Sequence, residues 1–521
     1  MKKVISVLII TAFIAACGTK KSTTSSSTET KKVVSNPVTY ANTITSEDLK
    51  TALYTYASDE FQGRETGKPG QKLAINFLKD HYIKYGVPAA KSDGNYFQEV
   101  PLDITGNPDV KLSVNDKSFI YKEDFISLSS GKTDNFSLDE IVYAGFGIDD
   151  EKFSNYTDID VKNKVVLIKS GEPKKVDGTF TITGTSEGSK WSNMRQQFAA
   201  KRNAAKEKGA KAILFYFPEV YQMAVAQFGN ASGRMALSGN SEEAYFFLIN
   251  NNLAKALLID IETNNTSNTI KTKMTVNYKS VSEKVISENV AAFIKGSEKP
   301  DEIIVISAHL DHEGVKDGKV YNGADDDGSG TVAVMEIAEA FAKAVKDGNG
   351  PKRSILFLNV TGEEKGLLGS RYYTDVDPIF PLENTVADLN IDMIGRIDPK
   401  RTSENRNYVY LIGSDKLSTE LHNISEEVNT KYTNVELDYT YNDENDPNRF
   451  YYRSDHYNFA KNNIPVIFYF NGTHDDYHQP SDTADKIEYD LLENRTRLVF
   501  YTAWELANRE NRIVADKAEK K

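Results

Sequence analysis

The chain has 521 residues, too many for one simple hydrophobic core, so two or three domains are expected. With 39% hydrophobic, 26% charged and 11% aromatic residues, its composition is that of a globular protein. The net charge of -12 argues against a nucleic-acid partner, and the single cysteine, Cys17, excludes intramolecular disulfides and cysteine-based metal sites.

Residues 1–17 have the pattern of an export signal. A charged start precedes an apolar run over residues 4–14, which is too short to span a bilayer as a mature helix. The sequence Ile14-Ala15-Ala16-Cys17 resembles a bacterial lipobox, in which the cysteine is lipidated; a plain cleaved signal peptide is the alternative. We therefore expect an exported lipoprotein, anchored through Cys17 to a bacterial membrane and facing the periplasm or the exterior.

The next segments differ in composition. Residues 18–44 are rich in Ser, Thr and Lys and predict a flexible tether. Helix signals follow, with a start near Thr45-Ser46 and a second helix at about 71–85. Residues 111–280 consist of short strand patterns and polar turns without a histidine, which indicates a separate module.

From Asn289 onward, strand and helix patterns alternate, which is typical of an α/β fold. A helix is predicted around 334–345. The predicted strands cover 290–294, 303–306, 355–360, 387–391 and 466–469. We expect a mixed, mostly parallel central sheet flanked by helices, built from residues 45–110 and 281–515.

Acidic and imidazole side chains follow these strands. Each motif by itself is commonly a solvated turn or helix surface, but clustered carboxylates repel one another unless cations neutralise them. Function gathers at the carboxyl ends of the strands in open α/β sheets. Oxygen and imidazole ligands without thiolates suit zinc and tolerate manganese or cobalt. The residues concerned are His309, Asp311, Asp325–Asp327, Glu363, Glu364, Asp392, Tyr477 and His478.

The order of these motifs resembles the M28 family of di-zinc aminopeptidases and carboxypeptidases, over about residues 46–510. The resemblance implies that His309 and Asp392 hold one zinc ion, that Glu364 and His478 hold the other, and that Asp326 bridges both. It also implies that residues 111–280 form a β-rich protease-associated insert. A cis peptide bond between Asp326 and Asp327 is expected by the same analogy.

Four further residues receive roles in this reading. Glu363 is the expected general base, which takes a proton from the activated water and passes it to the leaving amine. Asp311 and Asp482 are expected to accept hydrogen bonds from His309 and His478. Tyr477 is a candidate donor to the developing oxyanion.

The predicted function is that of a metal-dependent exopeptidase that acts on peptides with two zinc ions. An aminopeptidase is preferred over a carboxypeptidase, although both acidic residues and the arginines Arg396 and Arg453 lie near the motifs. A glutaminyl cyclase-like transferase with a single zinc, and a non-catalytic binding protein, are the alternatives. The complete set of candidate ligands and the base favours the peptidase.

The remaining aromatic and imidazole side chains are assigned less specifically. His456 is a candidate for the wall of the substrate pocket. Trp191 and Phe450–Tyr452 are interpreted as packing residues, with a pocket role as the alternative. Surface or structural roles are predicted for His81, His312, His422 and His474.

Overall fold

The structure, a computed structural model, describes residues 36–129, 131–229, 233–239 and 244–518. The predicted export signal and Cys17 lie outside the described residues. Pro37–Lys521 forms one compact unit. None of the helices in the described part of the chain combines the length and the apolar character needed to cross a bilayer.

The helices of the described residues are α1 (Pro37–Ala41), α2 (Ser46–Tyr56), α3 (Pro69–Tyr85), α4 (Gln196–Glu207), α5 (Tyr221–Phe228), α6 (Asn251–Leu257), α7 (Gly330–Lys346), α8 (Leu368–Asp375), α9 (Thr419–Tyr432), α10 (His456–Ala460) and α11 (Tyr489–Asn508).

The strands are β1 (Phe97–Thr105), β2 (Asp109–Val114), β3 (Lys117–Phe119), β4 (Phe125–Ser127), β5 (Asp134–Tyr143), β6 (Asp149–Asp150), β7 (Phe153–Ser154), β8 (Val165–Lys169), β9 (Ala212–Tyr216), β10 (Arg234–Leu237), β11 (Tyr245–Ile249), β12 (Asn268–Lys279), β13 (Ser282–Ile294), β14 (Lys299–His309), β15 (Gly314–Lys316), β16 (Lys319–Tyr321), β17 (Arg353–Val360), β18 (Thr385–Ile391), β19 (Tyr408–Ile412), β20 (Glu436–Asp438) and β21 (Val466–Phe470).

The larger sheet has nine strands in the order β10-β1-β13-β17-β14-β18-β21-β19-β20. Its four central strands, β17, β14, β18 and β21, run parallel to one another. Antiparallel pairing occurs at β10–β1, β1–β13, β13–β17 and β19–β21. The prediction of a mixed α/β sheet is confirmed, but four of its eight strand pairings are antiparallel, so it is not mostly parallel. Its parallel part includes the four central strands, at whose ends the chemical motifs were expected.

Apolar side chains of the central strands alternate between the two faces of this sheet, as strand geometry requires. Ile304 and Ile306 belong to a core cluster that includes α7 and α11, whereas Ile303 and Val305 belong to the cluster on the opposite face, near α10. Because both faces are covered, the central strands are largely apolar, although Ser307 of β14 and Asp388 and Asn390 of β18 are buried and hydrogen-bonded to one another.

The second sheet has eight strands in the order β3-β2-β12-β5-β8-β9-β11-β4, all drawn from residues 109–279. Separate core clusters cover its two faces. One strand from the same stretch of chain, β10, pairs instead with β1 at the edge of the large sheet. The assignment of residues 111–280 to a protease-associated insert stays a prediction.

Candidate metal centre and active site

The predicted ligands lie together at the carboxyl edge of the central strands. His309 is the last residue of β14, Asp392 directly follows β18, and Glu364 follows β17 by a short turn. His478 lies in the loop after β21. Parallel neighbouring strands end at the same edge of a sheet, so side chains that are far apart in the chain meet there.

Two histidines face the carboxylate of Asp326 from opposite sides. His309 Nε2 lies 3.2 Å from Asp326 Oδ1 and 3.6 Å from Asp392 Oδ1. His478 Nε2 lies 3.0 Å from Asp326 Oδ2 and 3.3 Å from Glu364 Oε2. The structure therefore brings all five predicted ligands together, and Asp326 presents one oxygen to each side.

Three groups of side chains have ligand atoms within 4.8 Å of one another in the described part of the chain. One group consists of three of the predicted ligands; the second contains His312 and the third contains Glu313. The groups are His309, Asp326 and Asp392; His312, Asp326 and Glu364; and Glu313, Glu364 and His478.

The sequence interpretation gave His312 a surface or structural role. The side chain is fully buried at the site, which excludes a surface position. Its Nδ1 lies 2.8 Å from Glu364 Oε1 and 3.8 Å from Asp326 Oδ2. The signal available in the sequence was its position three residues after His309, at the end of the same strand.

Several buried polar atoms at this edge have no hydrogen-bond partner among the described residues. They include His309 Nε2, both ring nitrogens of His312, Asp326 Oδ2 and Glu364 Oε1. Leaving a buried polar atom unpaired is costly, so such a set is unusual unless another group satisfies it. The donors are imidazole nitrogens and carboxylate oxygens, and their chemistry fits zinc.

The electrostatics of the cluster reflect burial and close opposite charges. Burial disfavours the imidazolium form of His309, but the carboxylates of Asp392 and Asp326 hold its pKa well above the usual value. Burial also acts against ionisation of Asp326, whose pKa is nevertheless held well below the usual value by His309, His312 and His478. The cluster thus has a strong preference for positive charge beside the Asp326 carboxylate.

Asp327 joins three segments of the site. Its carboxylate accepts hydrogen bonds from the backbone N–H groups of His309 (3.2 Å), Gly330 (2.9 Å) and Met393 (3.0 Å). The expected cis peptide bond between Asp326 and Asp327 is confirmed. One buried carboxylate therefore fixes the end of β14, the start of α7 and the segment after β18.

Asp482 and Asp311 contact other groups than predicted. The Asp482 carboxylate accepts from the backbone N–H groups of Asp325 (3.0 Å) and Asp326 (3.2 Å), not from His478. His309 Nδ1 lies 3.0 Å from the backbone carbonyl of Asp311, not from its carboxylate. That carboxylate instead accepts from the backbone N–H of Glu363 at 3.2 Å. Both aspartates support the site, but through backbone groups.

Arg64 is buried, and the sequence analysis predicted no role for it. Its guanidinium donates to the carbonyls of Leu310 (3.2 Å), Asn322 (2.7 Å) and Gly323 (2.9 Å). These carbonyls flank the strand end and the turn that carry the predicted metal ligands His309 and Asp326. The sequence did not indicate this role, because the partners of a buried arginine are set by tertiary contacts.

A pocket opens beside the carboxylates. Among its lining residues are Asp326, Glu363 and Asp392, together with Tyr477 and Arg453. Its apolar wall consists of Met393, Phe450, Phe468 and Phe470. Burial raises the pKa of Glu363 well above its usual value, and Glu364 and Asp392 raise it further. Burial likewise raises the pKa of the Tyr477 phenol, so that its hydroxyl stays protonated.

The two arginines near the motifs differ in their surroundings. Arg396 is paired with Asp476, at 3.0 Å, whereas Arg453 has no carboxylate within ion-pair distance in the described residues and lies over the Phe450 ring. Phe450 lines the pocket and so takes the alternative role considered for it. Trp191 instead packs in the core of the second sheet.

Two more histidines are buried near the site. His456 is fully buried and stacks on Phe468, with ring centroids 4.6 Å apart, so it supports the pocket wall from behind. His474 Nε2 lies 3.1 Å from Asp325 Oδ2 and connects the loop of His478 to the aspartate turn.

Comparison with known proteins gives matches to peptidases. Residues 289–503 match the model of peptidase family M28. A probable glutamate carboxypeptidase of Arabidopsis thaliana, LAMP1, is 35% identical over 119 residues, which cover 22% of this chain and 16% of that protein. A probable zinc metalloprotease of Pyrenophora tritici-repentis is 38% identical over 119 residues, 21% of this chain and 22% of its own length. The match thus spans about a fifth of these relatives.

Among solved structures, an aminopeptidase from Aneurinibacillus sp. strain AM-1 is similar to this chain. The two are 19% identical, the comparison covers 93% of this chain and 99% of the other, and the TM-score is 0.49.

Proposed function

We propose that the protein is a zinc-dependent exopeptidase of peptidase family M28, whose model residues 289–503 match, and an aminopeptidase in particular. The proposal is supported above all by one observation. Five side chains from four strand ends and a turn converge, with unpartnered buried nitrogen and oxygen atoms facing one another.

Two zinc ions are the proposed cofactors. His309, Asp326 and Asp392 would hold one ion, and Glu364 and His478 would hold the other together with Asp326. Bound there, zinc supplies Lewis acidity, which lowers the pKa of a coordinated water and polarises a carbonyl. The same donor set also accepts manganese or cobalt.

Glu363 is the proposed general base. Its carboxylate lines the pocket, it belongs to none of the compact ligand groups of the described residues, and its backbone N–H is fixed by Asp311. It accepts the proton of the attacking water and delivers it to the leaving amine. Tyr477, on the same pocket, donates its hydroxyl to the carbonyl oxygen as negative charge develops there.

The pocket favours an aminopeptidase over a carboxypeptidase. Three of its lining residues are acidic and one, Arg453, is basic. Asp326 and Asp392 would be neutralised by zinc, so Glu363 is the acidic lining residue left to accept a hydrogen bond from the free amino terminus of a substrate. The wall of Met393, Phe450, Phe468 and Phe470 suits an apolar side chain next to the scissile bond.

The location and the second sheet are part of the same proposal. The lipobox-like segment that ends at Cys17 supports an exported enzyme, anchored to a bacterial membrane by lipid and acting on peptides outside the cytoplasm. Residues 111–280 are proposed to be a protease-associated insert next to the catalytic residues 45–110 and 281–515.

Aminoacyl reporter substrates and N-blocked peptides of the same sequence test the proposal directly. We expect cleavage of substrates with a free amino terminus, no cleavage of blocked ones, loss of activity with a chelator and recovery with zinc. Glu363→Gln is the matched control, because it preserves the size of the side chain and removes the base.

Each alternative has its own result in this assay. Cleavage restricted to blocked peptides would overturn the aminopeptidase assignment. One bound zinc with cyclisation of N-terminal glutamine would identify the transferase. A protein that binds two zinc ions and hydrolyses none of the peptides would be the binding protein.

A further inference from the structure

His312 is a buried imidazole without a hydrogen-bond partner at the centre of a carboxylate cluster. Its side chain is fully buried, and neither ring nitrogen has a hydrogen-bond partner among the described residues. Nδ1 nevertheless lies 2.8 Å from Glu364 Oε1 and 3.8 Å from Asp326 Oδ2. The atoms are close but not aligned for a hydrogen bond, as expected for ligands around a common centre.

His312 also lies beside His478, the histidine predicted to bind the second metal ion. The His312 and His478 rings meet edge to face with centroids 5.7 Å apart. His478 Nε2 approaches Asp326 Oδ2 and Glu364 Oε2, while His312 approaches Asp326 Oδ2 and Glu364 Oε1. The two imidazoles therefore lie close to the same two carboxylates, those of Asp326 and Glu364.

We propose that His312 is a ligand of the second metal ion, in addition to Asp326, Glu364 and His478. This inference rests on the proposed metal centre and deepens it. Of the compact ligand groups in the described residues, the one that contains both Asp326 and Glu364 is completed by His312.

The ligand count makes the two ions unequal. The second ion would have four protein ligands, the number that closes a tetrahedral zinc site, whereas His309, Asp326 and Asp392 would give the first ion three. A zinc ion with three protein ligands retains a position for water or substrate. The first ion would therefore keep the position for water or substrate, and the second would have mainly a structural role.

Zinc stoichiometry and affinity of the full chain provide the first test. The parent protein is expected to bind two ions per chain. In His312→Gln the affinity of one ion is expected to fall by at least about 10- to 100-fold, the range known for weaker perturbations of metal sites. The other ion stays bound. His456→Gln is the matched control, because His456 is equally buried and unpartnered but faces Phe468.

A second variant separates coordination from mere support of Glu364. His312→Cys, loaded with Co²⁺, is expected to show thiolate-to-cobalt charge-transfer absorption, because a soft thiolate in contact with the ion coordinates it. The parent, which contains Cys17, is the control and is expected to lack the band. Cysteine is smaller than histidine and fits the buried position. This variant therefore tests metal coordination at residue 312 even if His312→Gln folds poorly.

The outcomes distinguish this inference from the proposed function. A parent protein that binds no zinc would overturn the metal centre as a whole. A parent with two ions and a His312→Gln variant with the same two affinities would overturn the assignment of His312 alone. A cobalt-loaded cysteine variant without the charge-transfer band would do so as well.

Discussion

The replacement Asp482→Asn tests how Asp326, the proposed bridging ligand, is held. The Asp482 carboxylate is fully buried and accepts from the backbone N–H groups of Asp325 and Asp326 at 3.0 and 3.2 Å. Burial and the neighbouring Asp325 raise its pKa to about 6, so the group is ionised at pH 8. Asparagine retains the shape but loses the charge and one acceptor oxygen.

The expected magnitude follows from these two hydrogen bonds. Bonds to a charged acceptor contribute about 1.5–3 kcal/mol and neutral ones about 0.5–1.5 kcal/mol, so the change costs about 1 kcal/mol per donor. Two donors give about 2 kcal/mol, which corresponds to roughly 30-fold in metal affinity. Replacing groups that orient metal ligands typically lowers metal affinity by about 10- to 100-fold, and the expected loss lies within that range.

The assay is competition for zinc between the protein and a chromogenic chelator at pH 8. Because Asp326 faces both His309 and His478, both ions are expected to bind more weakly in Asp482→Asn. Asp476→Asn is the control. Asp476 lies in the same loop as Asp482, but its carboxylate pairs with Arg396 instead of the backbone of Asp326. Weakening of a single ion would refute this reasoning and would favour the contact with His478 expected from the sequence.

Three further predictions concern catalysis and proton release. Glu363→Gln is expected to lower kcat by about 10²- to 10⁴-fold while the zinc content stays at the parental value; loss of zinc would contradict the role of base. Tyr477→Phe is expected to lower kcat about 10²-fold with little change in KM, and an unchanged kcat would leave Tyr477 as a packing residue. The carboxylates of Asp326 and Glu364 outweigh burial and raise the pKa of His478 to about 9 in the metal-free protein, so the imidazole is protonated at pH 7 and must lose its proton to bind zinc. Zinc affinity should therefore increase with pH up to about 9, and calorimetry in buffers of different ionisation enthalpy should detect the released protons; identical enthalpies in all buffers would contradict this.

Much of the site follows from local sequence. A strand is recognised by a short apolar run, and the residue that follows it must lie at an edge of the sheet. His309, Glu364 and Asp392 each come at the end of a buried parallel strand. Residue type and strand position therefore predicted a metal site, whereas the assignment of individual ligands came from the resemblance to family M28.

The tertiary structure decided which groups support those ligands. Asp482 contacts the backbone of Asp326, and the carbonyl of Asp311 contacts His309, although side-chain contacts were expected in both cases. The position of His312 three residues after His309 placed it near the site, but its approach to Glu364 was decided by the tertiary structure. Hydrogen-bond partners depend on side-chain direction over a few ångströms, and that direction is set by how distant turns pack, whereas the period of a strand is a property of the local chain.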